Sequence, residues 1–127
     1  VLSQPFTFCD LDDANVSTAT LSGTTPACAV AANNQDLAFT PQAGETRLGG
    51  TPFDNVADYR GYSQSPVTDI TSTYAMSGYG TSVAVANVGT SFGISDPAAL
   101  QVTVTVSRAG LDNYVLTGYR FRYAPRN

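Results

Sequence analysis

Acidic side chains are the residues of this sequence whose types and spacing come nearest to chemistry. Asp10, Asp12 and Asp13 lie close together in the stretch CDLDDAN. Carboxylate oxygens are preferred ligands of Ca²⁺, so clustered aspartates can form a calcium site. The stretch lacks the glycine and the distal glutamate of an EF-hand loop, and an exposed acidic turn that caps a helix uses the same residues. We therefore predict an acidic turn, with a weak calcium site as the alternative, and expect no other metal or cofactor.

A second charged group lies in the middle of the chain, where carboxylates alternate with arginines. Its members are Glu45, Arg47, Asp54, Asp58 and Arg60. An arginine can hold a carboxylate through two parallel hydrogen bonds, and a turn-rich loop needs internal polar contacts of this kind. We predict an ion network that fixes the loop to its own domain. A partner-docking surface is the alternative interpretation.

Four tyrosines lie in or just after this loop, namely Tyr59, Tyr62, Tyr74 and Tyr79. Tyrosine rings stack on sugars and pack into protein interfaces, because they combine a large apolar face with a polar hydroxyl. Tyrosines also commonly cover the edge of a sheet, and the chain has no tryptophan to strengthen a sugar-binding interpretation. A structural role is therefore predicted, with an interface or sugar contact as the alternative.

Catalysis has little support in the sequence. The chain contains no histidine, so Ser–His–Asp and Cys–His arrangements and histidine metal sites are excluded. Its two cysteines, Cys9 and Cys28, are predicted to form a disulfide in an exported protein, because charge is low and Ser, Thr and Gly are abundant. We predict that the protein is not an enzyme.

Length and charge limit the other function classes. The 127 residues, 13.3 kDa in mass, are predicted to form one exported domain, residues 1–127. A net charge of −4 and the absence of lysine argue against binding to nucleic acid, which requires clustered cations. The nearest approach to a basic cluster is Arg120, Arg122 and Arg126. We expect these arginines to meet carboxylates of this chain or of a neighbouring subunit.

The strongest structural pattern is a hairpin near the C-terminus. Residues 100–107 alternate apolar and polar side chains, and alternation resumes over residues 114–123 after a turn that contains Gly110. The two segments predict a long antiparallel hairpin with one strongly apolar face. Residues 82–88 predict a third strand.

The segments before the hairpin are weaker in pattern. We predict a short helix that begins at Pro26 and continues over residues 27–32, and a short strand at residues 37–40. Asp54 is the candidate N-cap of a helical turn at residues 55–59. None of these is an amphipathic helix long enough to lie across the apolar face. Either a second sheet covers that face, or a helix that precedes Val1 does.

Three stretches of the chain resemble the minor pilins of type IV pili, in particular those of the mannose-sensitive haemagglutinin (MSHA) pilus. They are PFTFCDLDDANVSTAT, then GETR followed by FDNVADYRGY, and ALQVTVTVSRAGLDNYVLTGYRFRYAPR. They follow the family's order and cover nearly all of residues 6–126. The resemblance implies an α+β fold of the type IV pilin kind, in which a long N-terminal helix packs on an antiparallel sheet. That helix and its leader peptide would precede Val1.

The same resemblance implies a structural role in assembly. The protein would initiate or prime pilus assembly, for instance in a tip complex, and its partners would be other minor pilins and the major pilin. The helix would anchor it in the inner membrane, facing the periplasm, before it joins the extracellular pilus. The alternative is a secreted all-β sandwich that binds carbohydrate, such as a surface glycan, or a host surface.

Overall fold

A four-stranded antiparallel sheet forms the centre of the computed structural model, which describes residues 1–19, 27–36, 41–42 and 44–122. The strands are β1 (Ser63–Gln64), β2 (Val67–Thr68), β3 (Ala75–Met76), β4 (Tyr79–Asn87), β5 (Ala99–Arg108) and β6 (Tyr114–Phe121). The main sheet has the order β1-β4-β5-β6, and β2 pairs with β3 in a separate two-stranded ribbon. The predicted hairpin is β5–β6, and the predicted third strand is β4.

The two central strands carry the core because their apolar residues alternate in register. Val83 pairs with Val104, and Val85 pairs with Val102, so one face of β4 and β5 is lined by aliphatic side chains. We call this the inner face. Leu100 is completely buried on it. β-branched side chains favour strands of this kind, which are buried on one face only.

The register of β5 and β6 distributes the apolar residues of the hairpin over both faces. Val104 pairs with Leu116, whereas Thr105 pairs with Val115. The valine row of β5 therefore shares the inner face with Leu116. Val115, Tyr119 and Phe121 lie on the outer face beside the threonines. The hairpin was predicted correctly, but the prediction that its apolar residues share one face was wrong.

Irregular segments cover part of the inner face. Phe6 from the N-terminal lead-in (residues 1–8) and Val56 and Ala57 from the middle loop pack against the valines of β4 and β5. The lead-in runs along β6 in the same direction. A Cβ on Gly118 would lie 2.5 Å from Leu2 Cδ1, so a larger residue here would require the Leu2 side chain to shift.

Arginines of β6 and the residue after it hold the lead-in in place. Arg120 Nη2 donates to the Gln4 carbonyl at 3.1 Å, and Arg122 Nη2 donates to the Thr7 carbonyl at 3.3 Å. Arg122 also pairs with Asp36 and lies over the Phe6 ring, 4.4 Å from its centre. The prediction that these arginines meet carboxylates is confirmed for Arg122. Arg126 lies outside the described residues.

Helical structure is sparse in the described part of the chain. It consists of four 3₁₀ segments: Ala31–Asn33, Val56–Tyr59, Gly89–Phe92 and Asp96–Ala98. Pro26 and residues 37–40 lie outside the described residues, so the start of the predicted helix and the predicted short strand cannot be compared. Residues 27–30 are not helical, and there the helix prediction was wrong. Among the described helices, none has the length and apolarity that crossing a membrane requires.

The helical turn of the middle loop forms, but with a different cap. Asn55 is the N-cap of Val56–Tyr59, and its side chain accepts a hydrogen bond from the Ala57 N–H. The Asp58 carboxylate accepts a hydrogen bond from the Asn55 N–H at 2.7 Å, which completes a capping box. The predicted cap at Asp54 was one residue early. The described architecture is mostly antiparallel sheet, nearer to the all-β alternative than to the α+β expectation.

Candidate functional site

Four carboxylates from two segments, the acidic turn and the middle loop, meet in the structure. One oxygen each from Asp10, Asp12, Glu45 and Asp54 lies within 4.8 Å of the others. We call these four residues the acidic cluster. Asp10 is completely buried and Glu45 is 7% exposed, whereas Asp12 is exposed. The cluster combines residues that the sequence suggested in two unrelated groups.

Backbone pairing and the disulfide position the N-terminal half of the cluster. The Asp10 N–H donates to the Asn33 carbonyl at 2.8 Å, and Cys9 forms an isolated antiparallel bridge with Asn34. The predicted disulfide between Cys9 and Cys28 is present, with the two Cα atoms 5.6 Å apart. Asp10 is therefore fixed on both sides, through its own backbone and through its neighbour Cys9.

The middle loop positions Glu45 and Asp54. Glu45 Oε2 accepts a hydrogen bond from the Gln42 N–H at 3.1 Å, and Thr46 forms a bridge with Pro52 that closes the loop between the two acids. Glu45 Oε1 and Asp54 Oδ1 are buried and have no hydrogen-bond partner among the described residues. A buried oxygen without a partner is costly, so these two atoms need an explanation.

Burial and mutual repulsion change the acidity of this region. Burial, followed by the charges of Asp58 and Asp10, raises the pKa of Glu45 to about 7. Burial and the neighbouring carboxylates Asp10 and Asp12 also raise the pKa of Asp54. Burial raises the pKa of Asp58 to about 6, although the hydrogen bond from Asn55 opposes it. The protein thus concentrates carboxyl groups here, and burial and repulsion favour the neutral forms of Glu45, Asp54 and Asp58.

Asp13, the third aspartate of the candidate calcium group, points elsewhere. Its carboxylate accepts hydrogen bonds from the backbone N–H groups of Asn15, Ala29 and Val30 at 2.8–3.0 Å. The Asn33 side chain donates a fourth at 3.0 Å. Asp13 therefore ties the acidic turn to residues 29–33, and it is not part of the acidic cluster.

We predict that Asp13 makes stability depend on acid pH. Burial acts to raise its pKa, but the four hydrogen bonds outweigh burial and lower the pKa from 3.8 to about 2. The folded protein then binds this proton less readily than the unfolded chain does. Its contribution to stability is present above pH 4 and is lost as pH falls from about 4 to about 2.

Urea unfolding at a series of pH values tests this prediction. We expect Asp13→Asn to lower stability at neutral pH and to flatten the decrease between about pH 4 and pH 2. Asp112→Asn, which removes an exposed carboxylate in the hairpin turn, should keep the decrease of the unsubstituted protein. If the stability of Asp13→Asn decreased between about pH 4 and pH 2 as much as that of the unsubstituted protein, Asp13 would not be the group responsible.

Arg47 of the predicted ion network contacts neutral groups. Arg47 Nη1 donates to Tyr62 Oη at 3.4 Å and to Gln64 Oε1 at 3.3 Å, and its guanidinium lies 5.7 Å from the centre of the Tyr62 ring. Asp58 Oδ2 accepts from the backbone N–H of Asp54 at 3.2 Å. Arg60 has an exposed side chain, and its backbone N–H donates to Ala57. Contacts with the Tyr62 and Gln64 side chains hold the loop at Arg47, and contacts with backbone N–H groups hold it at Asp58.

The four tyrosines occupy three different environments. Tyr59 and Tyr62 pack edge-on against Phe53, with ring centres 5.1 and 6.2 Å from it. Tyr79 lies under Arg108, which also donates to its hydroxyl at 3.1 Å. Tyr74 is 75% exposed. These residues do not form one tyrosine surface, although they are close in sequence.

The inner face continues beyond the lead-in as an apolar groove. A cavity of about 370 Å³ is lined by Val1, Leu2, Val102, Val104, Leu116, Thr117 and Gly118. Leu116 is 58% exposed, and Tyr114, next on the same face, is 66% exposed. The uncovered apolar face predicted from the hairpin is thus confined to this end of the sheet, because the lead-in covers the other end.

A row of aromatic residues occupies the outer face at the opposite end. Phe92 packs edge-on against Tyr119 and Phe121, with ring centres 5.5 and 5.0 Å away. All three side chains are about half exposed. Sequence analysis missed this row, because Phe92 comes from the β4–β5 connection and the face of β6 was not known.

Among the described residues, three surfaces thus have a composition suited to binding: the acidic cluster, the apolar groove and the outer aromatic row. No protein-family model, no curated protein and no solved structure matches the chain.

Proposed function

We propose that this domain is a structural subunit of a type IV pilus, a minor pilin of the MSHA kind that initiates or primes assembly. The apolar groove next to Val1 is the observation that carries this proposal. The three sequence stretches that resemble minor pilins, and among them the MSHA biogenesis protein MshD, support it independently. The role is structural, and no catalytic group takes part.

The groove has the dimensions and the direction that a preceding helix needs. An α-helix with its side chains is about 10–12 Å wide, and neighbouring strands lie about 4.8 Å apart, so one helix covers β5 and β6 together. The lead-in passes Gly118 and then Arg120 as it proceeds from Leu2 to Gln4. Chain that precedes Val1 would therefore lie over Leu116 and continue towards Tyr114.

A helix in this position joins the domain to the filament. Its C-terminal part would pack on the groove, and its N-terminal part would anchor the protein in the inner membrane before assembly. The domain would then be exported to the periplasmic side and pack with other minor pilins and the major pilin in the extracellular pilus. The groove would be buried in that state, which explains why aliphatic side chains line it.

Two adjacent residues of β6 provide a matched test. Leu116 and Val115 are 58% and 53% exposed and lie on opposite faces of the sheet. In the 127-residue domain, we expect the melting temperature of either aspartate variant to stay within about 3 °C of the melting temperature of the unsubstituted protein. In the full-length protein, Leu116→Asp should reduce co-purification with other minor pilins and surface pili at least about tenfold, whereas Val115→Asp should not.

The opposite pattern, in which only Val115→Asp impairs assembly, would contradict packing at the groove. The coding sequence upstream of Val1 gives a further check. A short basic leader followed by about 20 apolar residues would support the pilin proposal. A secretory signal with a cleavage site directly before Val1 would reject it.

The outer aromatic row favours a second candidate, a domain that binds carbohydrate or a surface glycan. Phe92, Tyr119 and Phe121 present about half-exposed rings on one side of the sheet, and exposed rings can stack on sugars. A glycan array probed with the isolated domain tests this function. Binding that Tyr119→Ala abolishes would support it, and an array without signal would reject it.

A further inference from the structure

We propose that Asp10, Asp12, Glu45 and Asp54 bind one calcium ion. One oxygen from each carboxylate lies within 4.8 Å of the others. Calcium binds oxygen at about 2.3–2.6 Å, so two ligands on opposite sides of the ion are about 4.6–5.2 Å apart. All four oxygens therefore lie close enough together to contact the same ion.

Unpartnered buried oxygens provide the second observation. Glu45 is 7% exposed, and its Oε1 has no hydrogen-bond partner among the described residues, although Oε2 accepts from Gln42. Asp54 Oδ1 is also buried and has no hydrogen-bond partner in the described part of the chain. A carboxylate oxygen loses its hydration on burial and must recover it from a donor or a cation. A calcium ion within the cluster supplies that interaction.

The surrounding charges also favour a cation. Four carboxylates converge here, while Arg47 in the same loop is directed to Tyr62 and Gln64. A divalent ion would offset much of the repulsion between the carboxylates. The exposed side chain of Asp12 leaves a solvent-facing side through which the ion can enter and water can complete its coordination.

The donor set selects calcium over other common metals. Calcium takes six to eight oxygen ligands in flexible geometry, whereas magnesium is usually bound through one or two carboxylates and retains several waters. Zinc sites are built mostly from cysteine and histidine. This chain has no histidine, and its two cysteines form the disulfide.

A calcium ion at this position would connect two segments that are far apart in sequence. Asp10 and Asp12 belong to the acidic turn, and Glu45 and Asp54 belong to the middle loop. That loop continues directly into Val56–Tyr59, whose Val56 and Ala57 cover the core. Calcium would thus fasten the covering layer of the sheet, whether or not the domain functions in a pilus.

Calorimetric titration of the chelator-treated 127-residue domain with CaCl₂ tests the proposal. We expect one site with a Kd of about 10⁻⁵–10⁻³ M, between the weakest sensor sites and the extracellular calcium modules. In 5 mM CaCl₂ the melting temperature should rise by roughly 4–14 °C over this range of Kd. The same concentration of MgCl₂ should give a much smaller rise.

Two charge-removing substitutions locate the ion. Glu45→Gln and Asp54→Asn preserve side-chain shape, and each should weaken calcium binding at least about tenfold, because calcium affinity depends on the number of charged ligands. Asp112→Asn removes a carboxylate from the exposed hairpin turn and should leave affinity unchanged. Thermal melting in the presence of chelator shows whether each variant is folded. If Glu45→Gln is not folded, the calcium affinity of Asp54→Asn tests the proposal.

Two results would overturn the proposal. One is the absence of binding heat together with a melting temperature that 10 mM CaCl₂ changes by less than about 1 °C. The other is unchanged calcium affinity in the folded variants, which would place the ion elsewhere.

Discussion

Replacement of Leu100 with alanine should lower the free energy of unfolding by about 3–4 kcal/mol. Leu100 is completely buried on the inner face, near the start of β5. It packs in one cluster with Phe6 of the lead-in and Val56 of the middle loop. Removal of its isobutyl group leaves a cavity between the sheet and both covering segments, and strand backbones limit how far the cavity can close. Urea or thermal unfolding of the purified variant measures the loss.

Leu116→Ala is the matched control, because Leu116 lies on the same face but is 58% exposed in this domain. We expect it to cost less than about 1 kcal/mol. Equal losses for the two variants would mean that the core does not end where the lead-in ends. A loss below about 1 kcal/mol for Leu100→Ala would mean that the covering segments do not pack on the sheet.

Removal of the disulfide has the second largest expected effect. Cys9 and Cys28 are 19 positions apart, and a closed loop of that size stabilises by about 3 kcal/mol in the chain-entropy model. Cys9 also lies beside Asp10, so the disulfide restricts the chain next to a residue of the acidic cluster. We expect the double variant Cys9→Ser/Cys28→Ser to unfold at a correspondingly lower urea concentration.

The reductant TCEP gives the control for this prediction. It should shift the unfolding midpoint of the unsubstituted protein towards that of the double variant. It should leave the double variant unchanged. Equal midpoints for the unsubstituted protein and the double variant in the absence of TCEP would show that the disulfide does not restrict the unfolded chain as the chain-entropy explanation requires.

Patterns that arise locally were predictable from the sequence. Strand β5 alternates valine with threonine over most of its length, and a period of two residues is strong evidence for a strand with one buried face. The helical turn at residues 55–59 was also predictable from local sequence, although the predicted cap was Asp54 and the observed cap is Asn55. The disulfide followed from composition together with the presence of only two cysteines.

Relations between distant segments were not predictable. The face of β6 depends on the parity of its register, and a shift of one residue would have placed Val115 beside Val104. Nothing in the period of β6 alone decides between the two arrangements. The covering role of Phe6 was missed for a similar reason, because an irregular segment has no periodicity to mark its buried side.

The acidic cluster was only half visible in the sequence. Asp10 and Asp12 were grouped with Asp13 because they are neighbours, and Glu45 and Asp54 were grouped with the arginines of their own loop. Hydrogen bonding separates Asp13 from the first group, and Arg47 turns towards Tyr62. Carboxylates that lack an arginine partner in their own loop are the feature that marks the cluster. This feature is apparent only once the three-dimensional positions of both segments are known.

Contact between the two ends of the chain has a consequence for folding. The hydrogen bonds from Arg120 to Gln4 and from Arg122 to Thr7 join residues that are 116 and 115 positions apart. Native contacts of such high sequence separation slow folding, because a long loop must close before they form. The lead-in can therefore reach its native position only after β6 has formed. Until then Phe6 stays exposed, and we expect the domain to reach its native state only after the residues that follow β6 have been synthesised.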